Sequence, residues 1–334
     1  MIEKQSLSDQ RIIDCLNNDY GIEIATLTFL SLGADMHASV YKAQTHDHSS
    51  YFVKLKRGHH HDISITIQVL LHDAGIQEII SPLKTKYGQP IQHVDDFTLI
   101  VYPFIEGQDG FSRDLTNNQW ITLGKVLRQV HELAVPLPIK DQIKRESYSP
   151  KWREAVRTIY AHIDEQSVTE AIALKLLIFM KEHRLVIQHL IDRADQLCQK
   201  IQGQSPEFVL CHSDIHAGNV LIQEDGAIYI VDWDSPIMAP KERDLMFIGG
   251  GVGNAWNNPR EEELFYKGYG KTEINMAILA YYRHERIVED IADYCQQLFA
   301  PQTRENKFEM YKQFTSMFEP RGVVDIAFKT DENL

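Results

Sequence analysis

The chain has 334 residues, 43% hydrophobic and 24% charged, which is enough apolar content for a substantial core and excludes a disordered polymer. Lysine and arginine total 34 against 47 acidic residues, and the net charge of −13 is a poor footprint for nucleic-acid phosphates and a better one for a small cation. Four scattered cysteines (Cys15, Cys198, Cys211 and Cys295) give no disulfide or zinc spacing, and no apolar run is long enough to span a bilayer, so a cytoplasmic protein without membrane or nucleic-acid partners is expected.

In chain order, residues 8–20 have helical spacing, with Ser8 as a candidate cap and Ile12, Ile13 and Leu16 on one side. After Tyr20-Gly21, IEIATLTFL alternates as a strand, and SLGADMHASVYKAQT reads as strand, turn and strand. YFVKLKRG, residues 51–58, is dense in sheet-forming types, and its alternation sets Phe52, Lys54 and Lys56 against Val53 and Leu55. A helix is expected over about 62–73. IISPLKT and FTLIVYPFI then read as two more extended segments.

The texture changes at YPFIEGQDG. NNQWITLGKVLRQVHEL and much of 150–200 repeat apolar residues at helical spacing. FVLCHSDIHAGNVLIQEDGAIYIVDWDSP reads as strand end, polar loop, short strand, turn and strand, and helices resume from about 240. Runs of strands followed by runs of helices predict an α+β protein rather than a doubly wound sheet. We read residues 1–104 as a small, mainly antiparallel sheet lobe and 105–334 as a larger helical lobe.

Asp214 and Asn219 lie five residues apart in that polar loop, and Asp232 closes the returning strand. Two carboxylates and an amide oxygen are hard ligands of the kind magnesium prefers, with water and phosphate oxygens completing its shell. Phosphoryl transfer asks a protein chiefly for charge neutralisation, in-line placement and an acid group to orient the accepting hydroxyl. In this arrangement Asn219 and Asp232 hold the metal and Asp214 faces the acceptor.

HSDIHAGN followed by IVDWDSP resembles the H-x-D-x-x-x-x-N loop and metal-binding aspartate of the aminoglycoside phosphotransferases and related small-molecule kinases. With FVKLKRG, YSPKWRE and KERDLMFIGGGVGN the likeness extends over nearly the whole chain and is nearest the aminoglycoside 9-O-phosphotransferase type. The resemblance implies a two-lobed, protein-kinase-like fold that uses ATP and Mg2+. By position it makes Asp214 the catalytic aspartate, with His212 beside it shaping the loop backbone, and makes Asn219 and Asp232 the metal ligands. Asp234 is a candidate supporting contact, and Asp244 matches an aspartate that braces the loop.

At the nucleotide end, the resemblance implies that Lys54 faces the phosphates, with Lys56 as the register-shifted rival. The usual partner is a glutamate on the next helix. Here the matching acid is Asp62, one methylene shorter, which either pairs with Lys54 or caps the helix. SLGADMHAS, in the place of the phosphate-covering loop, has a single glycine and departs from G-x-G-x-x-G. The backbone of Tyr102, Pro103, Phe104 and Ile105 is expected beside adenine.

A cationic, hydroxylated acceptor needs carboxylates and aromatic surfaces. YYRHERIVEDIADY offers Arg286, Glu289 and Asp290, with Trp256, Tyr266 and Tyr269 near them in sequence. The implied reaction is ATP-dependent O-phosphorylation of spectinomycin or a related aminocyclitol, conferring antibiotic resistance. A metabolic kinase of the choline, homoserine or sugar type carries the same signature. A non-catalytic nucleotide-binding scaffold is the alternative from another class, and the intact Asp214, Asn219 and Asp232 set speaks against it. Monomer and homodimer stay equally open.

Overall fold

The computed structural model describes residues 6–30, 38–58, 63–164, 168–300, 306–332 and 334. Asp62 and residues 31–37 of the expected phosphate-covering loop lie outside the described residues. The elements run α1 (Asp9–Cys15), β1 (Ile24–Leu30), β2 (Ala38–Thr45), β3 (Ser50–Arg57), α2 (Ile63–Asp73), β4 (Gln92–Val94), β5 (Phe97–Pro103) and β6 (Gln108–Asp109). Next come α3 (Asn117–Glu132), α4 (Leu137–Lys140), β7 (Lys144–Arg145), α5 (Lys151–His162), α6 (Ala171–Glu182), α7 (Arg184–Gln202) and β8 (Val209–Cys211). The remainder is β9 (Val220–Ile222), β10 (Ile228–Ile230), β11 (Ile237–Ala239), α8 (Glu242–Leu245), α9 (Pro259–Tyr269), α10 (Met276–Phe299), α11 (Lys307–Ser316) and α12 (Val323–Asp331). This is the expected two-lobed α+β fold, with a small antiparallel sheet and a larger helical part.

Two compact units divide the chain: Met1–Asp109 with Val220–Asp234, and Gly110–Asn219 with Ser235–Leu334. In the first, a five-stranded antiparallel sheet has the order β1-β2-β3-β5-β4. Strand alternation puts Tyr41, Ala43, Val53, Leu55, Leu99 and Val101 on one face, where they bury against Ile12, Cys15 and Leu16. Ser8 caps α1 by accepting from the Arg11 amide, and the helix widens into a π turn over Leu16–Tyr20 that Gly21 closes at φ 72°. Lys54, in register with Val40 and Ile100, therefore points away from that core.

IISPLKT is not a strand, which corrects the expectation. It makes a parallel bridge, Ile79 to Ile230, and its backbone bonds are those of a connection: Leu83 N–H donates to the Val101 carbonyl at 2.7 Å and Thr85 N–H to the Gln89 carbonyl at 2.8 Å. Pro82 has no amide to donate to a ladder. The β9–β10 hairpin lies among helices in sequence, yet it pairs with β6, and the Ile230 amide donates to Glu78.

In the second unit, α10 is the longest helix. Ile287, Val288, Ile291, Ala292, Cys295 and Leu298 form its buried stripe against α5, α6, α7, α11 and α12. Helices α3 and α9 cross at glycines: a Cβ built on Gly124 would stand 2.1 Å from the Phe265 carbonyl oxygen, and one on Gly268 would stand 1.9 Å from that of Ile121. A small sheet of order β7-β11-β8 delivers the polar loop that follows Cys211. All four cysteines are buried and unbridged. No helix among the described residues is long and apolar enough to cross a membrane.

Candidate active site

The loop after β8 is wound by its own hydrogen bonds. Asp244, at 0% exposure, accepts the backbone amides of His212 at 2.9 Å and Ser213 at 2.7 Å, and it pairs with His131 Nε2 at 3.1 Å. Those two amides point at one carboxylate because Ser213 takes a left-handed backbone, φ 76°. The Ser213 hydroxyl donates to the Ser235 carbonyl at 2.8 Å. Burial by itself raises the Asp244 carboxyl, but the His131 hydrogen bond, the nearby imidazoles and the Ser213 amide outweigh it and leave its pKa below the ordinary value.

His212 is buried, and its Nδ1 accepts the Asp214 amide at 3.2 Å. That bond ties the backbone at Asp214 to the imidazole. Beyond Asp214 the chain closes a short 3-10 turn over Ala217–Asn219, with the His216 amide donating to the Asp214 carbonyl at 3.0 Å. The Asn219 amide nitrogen donates to that carbonyl at 2.8 Å and lies 3.5 Å from Asp214 Oδ2. With its nitrogen committed inward, Asn219 has its oxygen as the group left for a cation, so this residue suits a hard metal.

Arg286 of α10 reaches the loop, and its Nη1 lies 2.6 Å from Asp214 Oδ1. Its Nε donates to Asp290 Oδ1, one turn further along, at 2.8 Å, and its guanidinium lies over the Phe247 ring at 5.5 Å. His216 Nε2 stands 3.6 Å from Asp214 Oδ2, with its ring stacked on Phe111. Burial raises Asp214, but the His216 hydrogen bond and the Arg286 charge hold its pKa well below the carboxylate range. Asp290 goes the other way: burial pushes it up to about 6 despite Arg286.

The lysine strand carries its own cluster in the first unit. Lys54 Nζ is 2.6 Å from Asp234 Oδ2 and Lys56 Nζ is 3.3 Å from Oδ1, so one carboxylate takes both register rivals. Asp234 is depressed, the two lysines outweighing its burial. Trp233 is buried and donates from Nε1 to the Ile230 carbonyl at 3.2 Å, which leaves the flanking Asp232 and Asp234 exposed. Asp232 sits at φ 62°, a turn conformation that ends the hairpin. It offers the hard carboxylate oxygen expected of a magnesium ligand. At the expected adenine segment, Tyr102 pairs with Phe52 and Pro103 with Tyr51, and the Phe104 amide donates to the Ser50 carbonyl at 3.1 Å. That donor is committed within the sheet.

His131, Cys211 and Asp244 hold ligand-type atoms within 4.8 Å of one another. Each already has a protein partner: His131 Nδ1 meets the Tyr269 hydroxyl at 2.8 Å, and the Cys211 thiol contacts the Ala239 and Pro240 carbonyls. This is a buried structural array rather than a metal site. Tyr269 and Trp256 are buried, the latter packed on Trp120 at 5.1 Å. The links missed in the sequence join distant positions: Lys54 with Asp234, His131 with Asp244, and Asp214 with Arg286. Only the last had a cue, in the charged run of α10.

Residues 28–274 match the model of the phosphotransferase enzyme family. The structure is similar to that of spectinomycin phosphotransferase APH(9)-Ia in complex with ADP and spectinomycin. The two share 48% identity over 98% of this chain and 100% of that one, with a TM-score of 0.92. The AMP-bound complex of the same enzyme superposes with a TM-score of 0.88 at 46% identity, over 97% and 99% of the two chains. Protein StrN of Streptomyces griseus is 23% identical over 267 residues, covering 77% of this chain and 76% of that protein.

Proposed function

This chain belongs to the phosphotransferase enzyme family, and from that premise we propose that it transfers the γ-phosphoryl group of ATP to a hydroxyl of spectinomycin or a close aminocyclitol relative. The observation carrying the acceptor is the near-complete coverage at 48% identity by an enzyme whose structure holds ADP and spectinomycin. The coarser activity, ATP-dependent phosphotransfer, follows from family and fold.

In this reading Asp214 receives the acceptor hydroxyl. A carboxylate held well below its ordinary pKa is a weak base, which suits a loose transition state in which the proton leaves late. Its work is orientation. Asn219 and Asp232 would hold Mg2+, which when bound neutralises charge on the phosphates. Lys54 exchanges Asp234 for phosphate oxygens, while the backbone of Tyr102, Pro103 and Ile105 lies beside the purine. The acidic surface favours the approach of a protonated amine. Phosphorylation adds bulk and negative charge to a hydroxyl, and a contact between drug and target is thereby lost.

The test is ATP-dependent phosphate transfer across spectinomycin, other aminocyclitols, aminoglycosides and cellular amino alcohols, with mass spectrometry of the products. Transfer to spectinomycin with the highest kcat/KM is expected. Efficient transfer to a metabolic alcohol and none to spectinomycin overturns the acceptor and selects the metabolic kinase.

A further inference from the structure

We propose that Arg286 is a positioning residue for phosphoryl transfer: anchored by Asp290, it pins one oxygen of Asp214 so that the other is presented to the acceptor hydroxyl. The inference rests on the reading of Asp214 given above and extends it to α10.

A carboxylate on a single-bonded stem turns about its last torsion with little preference between broad orientations. Asp214 has no such freedom. Its Oδ1 is fixed by the guanidinium at 2.6 Å, whereas among the described residues Oδ2 meets longer approaches, 3.5 Å from the Asn219 amide and 3.6 Å from His216. The tight contact commits one oxygen, and the loose ones leave Oδ2 able to accept a further proton donor. As the acceptor oxygen bonds to the γ-phosphorus and the bridging P–O bond to the departing ADP breaks, the hydroxyl proton passes to Oδ2.

Arg286 is itself held. Asp290 takes its Nε at 2.8 Å, one helical turn away, and Phe247 lies under its plane. The side chain is only 19% exposed and sits on the buried α10 helix. A planar, five-donor group that binds two carboxylates along different edges is a device lysine cannot copy. Among the described residues, Met246, Phe247, Arg283, Asp290 and Val323 line the same cleft. Deleting the Arg286 side chain therefore opens a space with an anionic wall that a free guanidinium ion fits by charge and shape.

The experiment measures steady-state kinetics of Arg286→Ala, Arg286→Lys and Asp290→Asn, with and without sub-denaturing guanidinium chloride, and with urea and sodium chloride as controls. The acceptor is spectinomycin or whichever alcohol the substrate panel returns, so a wrong acceptor overturns the earlier reading without touching this one. Arg286→Ala is expected to lose about 10- to 100-fold in kcat, with the KM for ATP within about twofold of wild type. Guanidinium should restore most of the loss in Arg286→Ala and none in wild type, while Arg286→Lys recovers only part. Asp290→Asn is expected to lose about threefold to tenfold in kcat alone, and it serves if Arg286→Ala does not fold. Wild-type kcat in either Arg286→Ala or Asp290→Asn overturns the proposal. A folded Arg286→Ala whose loss ignores guanidinium, or whose KM for ATP rises in step with the fall in kcat, overturns it as well.

Discussion

Replacing Asp214 by asparagine keeps the side-chain volume and removes the charge that Arg286 faces at 2.6 Å. Transfer should fall by about 100- to 10,000-fold while ADP affinity by calorimetry stays near wild type; unchanged turnover would strip Asp214 of its assigned role. Asp244→Asn acts on the backbone instead. An asparagine oxygen accepts one amide, but its nitrogen then faces a second donor, so the two amides that bend the loop are not both satisfied. Loss of a buried charged partner costs about 3–5 kcal/mol, read by urea denaturation at pH 7. The pH dependence has a definite sign. The folded Asp244 carboxyl titrates below its unfolded value near 3.9, so its stabilisation is complete above that pH and disappears as acid protonates the native group. The stability gap between wild type and Asp244→Asn should thus hold from pH 7 to pH 5 and shrink below about pH 4. A gap that closes already between pH 7 and pH 5 would contradict this assignment.

At the scale of elements, the helix α3 shows what patterning does and does not reveal. Its apolar spacing and the Thr116–Gln119 capping box mark the helix from Asn117 onward. Nothing in that pattern says that His131 ends up on Asp244, since 113 positions separate them and only the crossing of α3 with α9 sets where His131 and Tyr269 lie. Strand β3 is similar: alternation puts Lys54 and Lys56 on one face, but their common partner is about 180 residues away. The crossing gives the test. Gly124→Ala drives a methyl into the Phe265 carbonyl and the Tyr269 amide at 2.7 Å, backbone atoms that cannot step aside. A loss of about 1–3 kcal/mol or more is expected, with lower activity through the displaced Tyr269–His131–Asp244 array. Gly203→Ala is the control. Its φ of −78° suits any residue and nothing lies within 4 Å of the added methyl, so stability should stay level or rise by about 0.4–1 kcal/mol. Equal melting temperatures for the two variants would refute the close-crossing account.

At the scale of the whole molecule, the fold class was legible because most strands fall in the first hundred or so residues and helices dominate afterwards, a segregation that hydrophobic period reports. Asp214, Asn219 and Asp232 could be named as candidates because one short loop carries the first two and the end of one hairpin carries the third. The acceptor was not legible, since nearness in sequence does not say which aromatic residues face an acceptor; Trp256 and Tyr269, for example, are buried. The nucleotide role proposed for the trio has a consequence for global stability. A ligand that binds only the native protein adds RT ln(1 + [L]/Kd), or about 2.7 kcal/mol at a hundredfold excess over Kd. ADP should therefore raise the melting temperature, and Mg2+ should add a further increment through Asn219 and Asp232. Asp232→Asn and Asn219→Ala are expected to keep the rise produced by ADP with EDTA and to show a smaller magnesium increment, whereas Lys54→Ala weakens both by loosening the phosphates. Differential scanning fluorimetry with ADP, with and without Mg2+, reads all three. An undiminished magnesium increment in Asp232→Asn would remove that carboxylate from the metal, because replacing an anionic oxygen ligand by a neutral amide must appear as weakened metal-dependent stabilisation.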